Sequence, residues 1–218
     1  MARIELPAAL DFGWEMKPLS SARTRFQIGK EDVYDLTIEH STIRGVTPNM
    51  LLWWFRNIGG TMTYRGTQYS RYRVWHPQDH IHWELVRPAP GGGAGVGARF
   101  RIVEAFGRNR NHMVDSVETV EKLDATGIRL VRRAAGTVVF SLEHWFAPEP
   151  DGTRYNSRML VGSATFPLGA FFTRVVRPFL FTEEMGHAWL QHNIEEVGNF
   201  EFFLPELYRE CVGEGGGV

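Results

Sequence analysis

His192 and Glu196 stand four residues apart in HNIEEVGNFEFFLPELYRE, which runs from 192 to 210. On a helix that spacing brings an imidazole and a carboxylate to one face, where they can bind a single metal ion. An isolated pair of this kind is more often a solvated ion pair, so the direction of the face matters. With Trp189 at zero and roughly 100° per residue, Met185 falls at about -40°, His192 at about -60° and Glu196 at about -20°. These four share one stripe. Glu195, at about -120°, lies toward its edge.

The strand-like segments supply further groups on apolar faces. In RFRIVEAF, a period of two puts Phe100, Ile102, Glu104 and Phe106 together. An unpaired buried carboxylate costs several kcal/mol, so Glu104 must be paired, neutral or bound to a metal. In TVVFSLEHWF the shared face holds Val138, Phe140, Leu142, His144 and Phe146, so His144 points inward. A lone inward histidine is more often a satisfied core residue. WHPQDHIHWE adds His76, Asp79, His80, His82 and Glu84, and an extended run would put His80, His82 and Glu84 on one face. Two histidines and two carboxylates from separate elements make a four-ligand site for a divalent metal. Zinc leads, and iron or manganese also suits two oxygen ligands. Spacing does not choose among His76, His80 and His82.

These groups need elements to hold them. DVYDLTIEHSTI reads as an early strand. VTPNMLLWWFRNIGG reads as a helix with Thr47 as N-cap, Pro48 at its first position, and Gly59 and Gly60 as its stop. RPAPGGGAGVGA is a loop without the Lys-Ser/Thr of a phosphate loop, which argues against nucleotide binding. From Arg99, successive strands are separated by turn signals at 124–127, Gly136 and 151–152, the pattern of an antiparallel meander. The stretch FFTRVVRPFLF is amphipathic and leads into a last helix. Thr182 is its expected N-cap, Glu183 and Glu184 suit its first turn, and Gly198 suits its end. The order predicts an α+β helix-grip fold, a curved antiparallel sheet wrapped around a long C-terminal helix with a cavity between them. A plain sandwich without a cavity is the alternative. One domain over 1–218 is expected, with a flexible glycine-rich tail at 212–218.

Composition narrows the partners. The formal net charge is -1, so no global field favours nucleic acid or a membrane surface. The single cysteine, Cys211, cannot close an internal disulfide, and the N-terminus lacks a signal pattern. A cytoplasmic protein acting on a small molecule is expected, and a homodimer is compatible with the sequence. Aromatic residues make up 13% of the chain, enough to fill a core or line a cavity.

Taken together, the motifs resemble the 2,4-diacetylphloroglucinol hydrolase family, whose relatives include phloretin hydrolase. The resemblance runs from Val46 to Cys211. YRVWHPQDH resembles the family's Tyr-x-x-Trp-x-Pro-x-x-His element, which implies that His80 is a metal ligand and places the family tyrosine at Tyr72. RIVEAFG resembles the strand carrying a ligand glutamate, at Glu104. EHWFAPEPDGTRYNSRM resembles the catalytic-histidine strand and the Ser-Arg strand after it, implying a proton-transfer role for His144. The terminal HxxxE followed by Phe-Leu-Pro and Tyr-Arg-Glu is similar to the family's last motif. The implied metal set is thus His80, Glu104, His192 and Glu196, with His144 and Tyr72 catalytic, in a helix-grip enzyme that uses zinc and water to cleave an acyl group from a phenolic ring.

Two positions depart from the diacetylphloroglucinol enzyme. Trp83 stands where it has an asparagine, and Met159 where it has a tyrosine. Tyr155, on the same strand face as Met159, is a candidate replacement, so Trp83, Tyr155 and Met159 are the expected substrate-binding residues. The expected substrate is an acyl phenol or polyketide-like compound. Two other functions fit the same fold: a non-catalytic polyketide- or lipid-binding protein, and another metal-assisted reaction on an aromatic polyketide, such as cyclisation or aldol-type cleavage.

Overall fold

The computed structural model describes residues 4–165 and 167–213. Residues 214–218 of the expected tail lie outside the described residues. The strands are β1 (Arg23–Ile28), β2 (Tyr34–Glu39), β3 (Ile43–Arg44), β4 (Thr61–Tyr64), β5 (Thr67–Ser70), β6 (His80–Arg87), β7 (Arg99–Ala105), β8 (Met113–Asp124), β9 (Gly127–Ala134), β10 (Thr137–Glu149) and β11 (Gly152–Val161). Among the helices, α1 is Pro48–Asn57 and α2 is Arg71–Trp75. A broken helix follows β11, with α3 (Leu168–Phe171) and α4 (Arg177–Leu180) joined by a π-type turn. The last helix, α5, is Glu183–Val212.

One antiparallel sheet has the order β1-β2-β11-β10-β9-β8-β7-β6, with β3 beside β11; β4 and β5 form a separate hairpin. The sheet curls around α5, which is the helix-grip arrangement. Its hairpins follow the turn signals. Gly127 has φ +151°, and a Cβ there would sit 2.1 Å from the His144 carbonyl oxygen, so only glycine lets β9 close on β10. A Cβ at Gly152 would meet the Ile43 carbonyl oxygen at 1.9 Å, where β3 pairs with β11.

Both helix starts obey local chemistry. The Thr47 hydroxyl accepts from the Met50 N–H at 3.3 Å, with Pro48 at the first helical position. On α5 the Thr182 hydroxyl accepts from the Met185 N–H at 3.2 Å. Met185, Trp189, His192 and Glu196 are all buried, as the helical wheel predicts, while the Glu195 side chain keeps 22% of its surface exposed.

Several expectations are corrected. Helix α5 does not end at Gly198 but continues to Val212 through Pro205. Gly198 is needed for contact, because a Cβ would approach the Lys17 side chain to 2.8 Å. His80, His82 and Glu84 do not share a face, because a bulge shifts the β6–β7 register between His80 and His82. It buries His80 and leaves the His82 and Glu84 side chains about half exposed, at 54% and 51%. A second bulge between Val138 and Phe140 turns Val139 inward in place of Val138. Strand β1 and the β4–β5 hairpin were not expected, because their alternating apolar runs are only two residues deep. The broken helix is apolar on both faces: Phe171 and Phe179 are exposed, while Phe172, Leu180 and Phe181 line the cavity.

Aromatic rings lock α1 and α2 onto α5. Phe200 meets Trp54, Trp75 and Phe203 with ring centroids 5.8, 5.2 and 6.0 Å apart. Fully buried, it holds α2 in place, and α2 carries Tyr72 and leads to His80. Phe200→Ala should therefore lower unfolding free energy by about 3–5 kcal/mol, as expected for deleting a buried ring. Phe202→Ala, at a position 39% exposed, should cost less than half as much. Denaturant midpoints measure both, and equal losses would contradict this packing.

Candidate functional site

His80 opens β6 immediately after the α2 turn. Its Nδ1 lies 2.8 Å from the Tyr72 carbonyl oxygen, which can only accept, so Nδ1 carries the proton and Nε2 presents its lone pair. That Nε2 is buried without a hydrogen-bond partner among the described residues. Around it stand carboxylates from two other elements: Glu104 Oε1 of β7 at 3.4 Å and Glu196 Oε2 of α5 at 3.3 Å. His192 Nε2 closes the group, 3.5 Å from Glu104 Oε2 and 3.9 Å from Glu196 Oε2. Ligands about 2.0–2.1 Å from a tetrahedral ion lie about 3.3–3.4 Å from one another, close to most of these separations. The ligand atoms of His80, Glu104 and His192 all fall within 4.8 Å of one another, so these residues could hold a metal ion. An orphaned buried imidazole nitrogen beside two carboxylates fits such a group.

A second layer fixes this set. His192 Nδ1 pairs with Asp79 Oδ2 at 3.0 Å, and Asp79 in turn accepts from the Gly107 and Arg108 N–H groups at 2.8 and 3.0 Å. A carboxylate behind a ligating imidazole sets its tautomer and its direction. Asn193 donates to Glu196 Oε1 at 2.5 Å. The Tyr72 hydroxyl donates to Glu104, and the Tyr72 ring stacks on His80 with centroids 3.9 Å apart. His76 belongs to this outer layer: its Nδ1 accepts the Asp79 N–H at 3.1 Å, and its Nε2 faces Glu195 at 3.1 Å. His76, Asp79 and His192 also cluster closely enough to hold an ion, but those hydrogen bonds already occupy their facing atoms.

The local field calls for positive charge. Burial opposes a charged His192, yet Glu104, Asp79 and Glu196 push its pKa up to about 9. Burial drives His80 down to about 3. Burial also raises Glu196, although the neighbouring imidazoles oppose it. For Asp79 burial acts upward, but His192, His76 and the Gly107 N–H hold it well below the usual carboxylate range.

Glu104 and Glu196 also line a cavity between sheet and helix, together with Tyr72, Trp83, His144 and Met159. The cavity has a volume of about 130 Å³. His144 is buried, and its Nδ1 lies 2.9 Å from Ser157 Oγ, which lies 3.0 Å from His40 Nε2. Burial takes both imidazoles down to about 3, so they are neutral at pH 7. Tyr155 shares the inward face of Met159 but packs behind His144, ring centroids 5.1 Å apart, and does not line the cavity. Trp83 covers Gly59, where a Cβ would meet the indole at 2.5 Å.

The structure thus gathers His80, Glu104 and His192, with Glu196 beside both imidazoles and His144 and Tyr72 on the same cavity. It leaves His82 outside. Asp79 stood among the sequence candidates without a role. His40 and Asn193 carried no signal of their own, whereas Ser157 stands between Tyr155 and Met159 on one strand face. Ser116 and Glu118 did, since a period of two puts them with Val114 and Val120 on one face of β8.

Residues 31–209 match the family described as the DAPG hydrolase PhiG domain. No curated protein matches the chain. Solved structures similar to it include the KanY protein (ms6282), at 12% identity over 88% of this chain and 99% of that one, with a TM-score of 0.45. Ara h 8.0201 shares 12% identity over 80% and 99% of the two chains, at a TM-score of 0.48. Ms6760 from Mycobacterium smegmatis shares 11% over 85% and 98%, also at 0.48. Likeness at this level carries no argument about function.

The geometry predicts about one divalent metal ion per chain, read by elemental analysis of purified protein. Glu196→Gln should remove most of it and Glu195→Gln very little. Asp79→Asn should weaken affinity by roughly 10–100-fold, the usual effect of losing a carboxylate behind a ligating histidine. Full retention in Glu196→Gln would overturn this ligand set.

Proposed function

The chain belongs to the DAPG hydrolase family, and on that premise we propose a metal-dependent hydrolase that cleaves the carbon-carbon bond between an acyl group and a phenolic ring. One observation supports the reading above others: two imidazoles and two carboxylates converge at the wall of the cavity that also holds the neutral His144. His80, Glu104, His192 and Glu196 are the proposed ligands, with zinc favoured and iron or manganese compatible with the oxygen donors. When bound, such an ion polarises a carbonyl and lowers the pKa of water.

The protein's own groups do the rest. An acyl polyphenol that takes a proton on the ring carbon and gives one up from a ring hydroxyl becomes a keto tautomer, and the bond to the acyl group then behaves like that of a β-diketone. Water adds to the acyl carbon, the ring carbon leaves with the electron pair as an enolate, and the products are a carboxylic acid and a phenol. His144 is available for proton transfer because burial keeps it neutral, and its Nδ1 bond to Ser157 leaves Nε2 for the cavity. Ser157 can donate to His144 or accept from it, with His40 taking the complementary role. Reversing those bonds would switch His144 Nε2 between donor and acceptor. Tyr72 donates to Glu104, and its remaining lone pairs can accept from a substrate hydroxyl.

A cavity that only bound an apolar ligand would gain nothing from these buried groups, each costly to desolvate. That favours catalysis over simple binding. Trp83 and Met159 give their part of the wall an apolar surface, which suits a bulkier acyl group than acetyl.

His144→Ala should keep metal content and thermal stability while lowering turnover by roughly 100-fold or more, the scale of general acid-base catalysis. Loss of metal instead would place His144 among the ligands. In a panel of acyl phenols and β-diketones assayed with metal-replete protein, bulkier acyl compounds should be cleaved more efficiently than diacetylphloroglucinol. The opposite ranking would refute this account of the wall, and cleavage of none would refute the proposed reaction.

A further inference from the structure

Glu118 is a buried carboxylate that the proposed reaction does not use. It lies on β8 at 4% exposure and lines the same cavity as the metal-ligand candidates. Its Oε1 accepts from the Ser116 hydroxyl at 2.9 Å, while its Oε2 is buried without a hydrogen-bond partner among the described residues. An unmet acceptor of this kind is expensive, and a cavity-lining one invites a donor from a ligand. Burial also pushes the Glu118 pKa up to about 7, against the pull of the Ser116 hydroxyl, so its negative charge is not secured by its surroundings.

The register gives the position. Strands β7 and β8 pair Phe100 with Glu118, Ile102 with Ser116 and Glu104 with Val114, and all six residues line the cavity. Glu118 therefore stands four residues along the strands from Glu104, about 13 Å at 3.3 Å per residue. Between them the wall carries Phe100 and Ile102 on β7 and Leu130 on β9, and the Ser116 hydroxyl at the midpoint is turned onto Glu118. Glu104 adds to the upward push on Glu118, while Arg132, which also lines the cavity, acts the other way. Its positive charge disfavours an ammonium group there and leaves a neutral donor as the better partner.

Resting on the proposed hydrolase reading, we infer that Glu118 and Ser116 form a distal subsite for a hydroxyl group of the substrate, separated from the reacting acyl carbon by an apolar spacer of roughly 10–13 Å. The substrate class is accordingly an acyl phenol whose acyl chain is long, apolar and ends in a hydroxyl. Glu118 acts on specificity and takes no part in bond cleavage.

The test uses matched alkanoyl and ω-hydroxyalkanoyl phenols of increasing chain length with the metal-replete full chain. Binding is read by stopped-flow quenching of tryptophan fluorescence, and cleavage by product analysis. Wild-type protein should bind the hydroxylated member about ten-fold more tightly once the chain spans the gap, the scale of one hydrogen bond to a charged group. Shorter pairs should show no preference. Glu118→Leu should lose the preference, keep its metal and bind the plain alkanoyl compound at least as well. Glu118→Gln, which retains an acceptor oxygen, should keep part of the preference and serves if the leucine variant fails to fold. Equal binding of both members at every length, no binding by the series, or a preference that survives Glu118→Leu would overturn the subsite. Preference without cleavage of any member would retain the subsite and refute the hydrolase reading; cleavage without preference would do the reverse.

Discussion

Burial of charge is the constraint on which this structure depends. Asp79, Glu104, Glu196, His80 and His192 meet where water is largely excluded, and none could be stable there alone. Each is met by a specific group: a backbone carbonyl for His80, Asp79 for His192, two backbone N–H groups for Asp79, Asn193 for Glu196, and Tyr72 for Glu104. At the centre, His80 Nε2 has no hydrogen-bond partner among the described residues. A set of donors oriented from behind and converging in front could hold a cation.

That arrangement requires close approach between helix and sheet. Glycine at 186 allows it, since a Cβ there would come within 2.7 Å of the Phe26 ring. Glycine at 198 admits the Lys17 side chain against the opposite part of α5. Between these two contacts α5 presents Trp189, His192 and Glu196 to the interior. The aromatic cluster around Phe200 anchors the C-terminal half of α5, and the cluster of Leu36, Met185 and Trp189 anchors its start. The ligand candidates occupy the boundary between the two clusters, held from both sides.

The cavity is consequently uneven in character. Much of it is lined by apolar and aromatic side chains, whereas polar groups gather in the Glu104–Glu196 region with His144 nearby, at Ser116 and Glu118 with Arg132, and at Arg177 of α4. Apolar walls strengthen each polar contact by excluding water. They also make position decisive, because a ligand group that misses its partner leaves that partner unpaired.

Much of this was legible in the sequence because it depends on local periodicity. Helix phase alone put Met185, Trp189, His192 and Glu196 on one buried stripe and set Glu195 toward its edge. Strand alternation aimed Glu104 and His144 inward, and the turn residues ordered the meander. What alternation could not give were its interruptions. The bulge after His80 separates it from His82, and the bulge near Val139 reverses the start of β10, because both arise from pairing with a neighbouring strand. Gly198 read as a helix end, yet it is a contact with Lys17, 181 positions away in the chain, which no local pattern records. The same holds for the Asp79–His192 pair, the His144–Ser157–His40 chain and the unpaired Glu118 oxygen. Each depends on which distant groups come within about 3 Å, the reach of a hydrogen bond, and only the folded chain decides that.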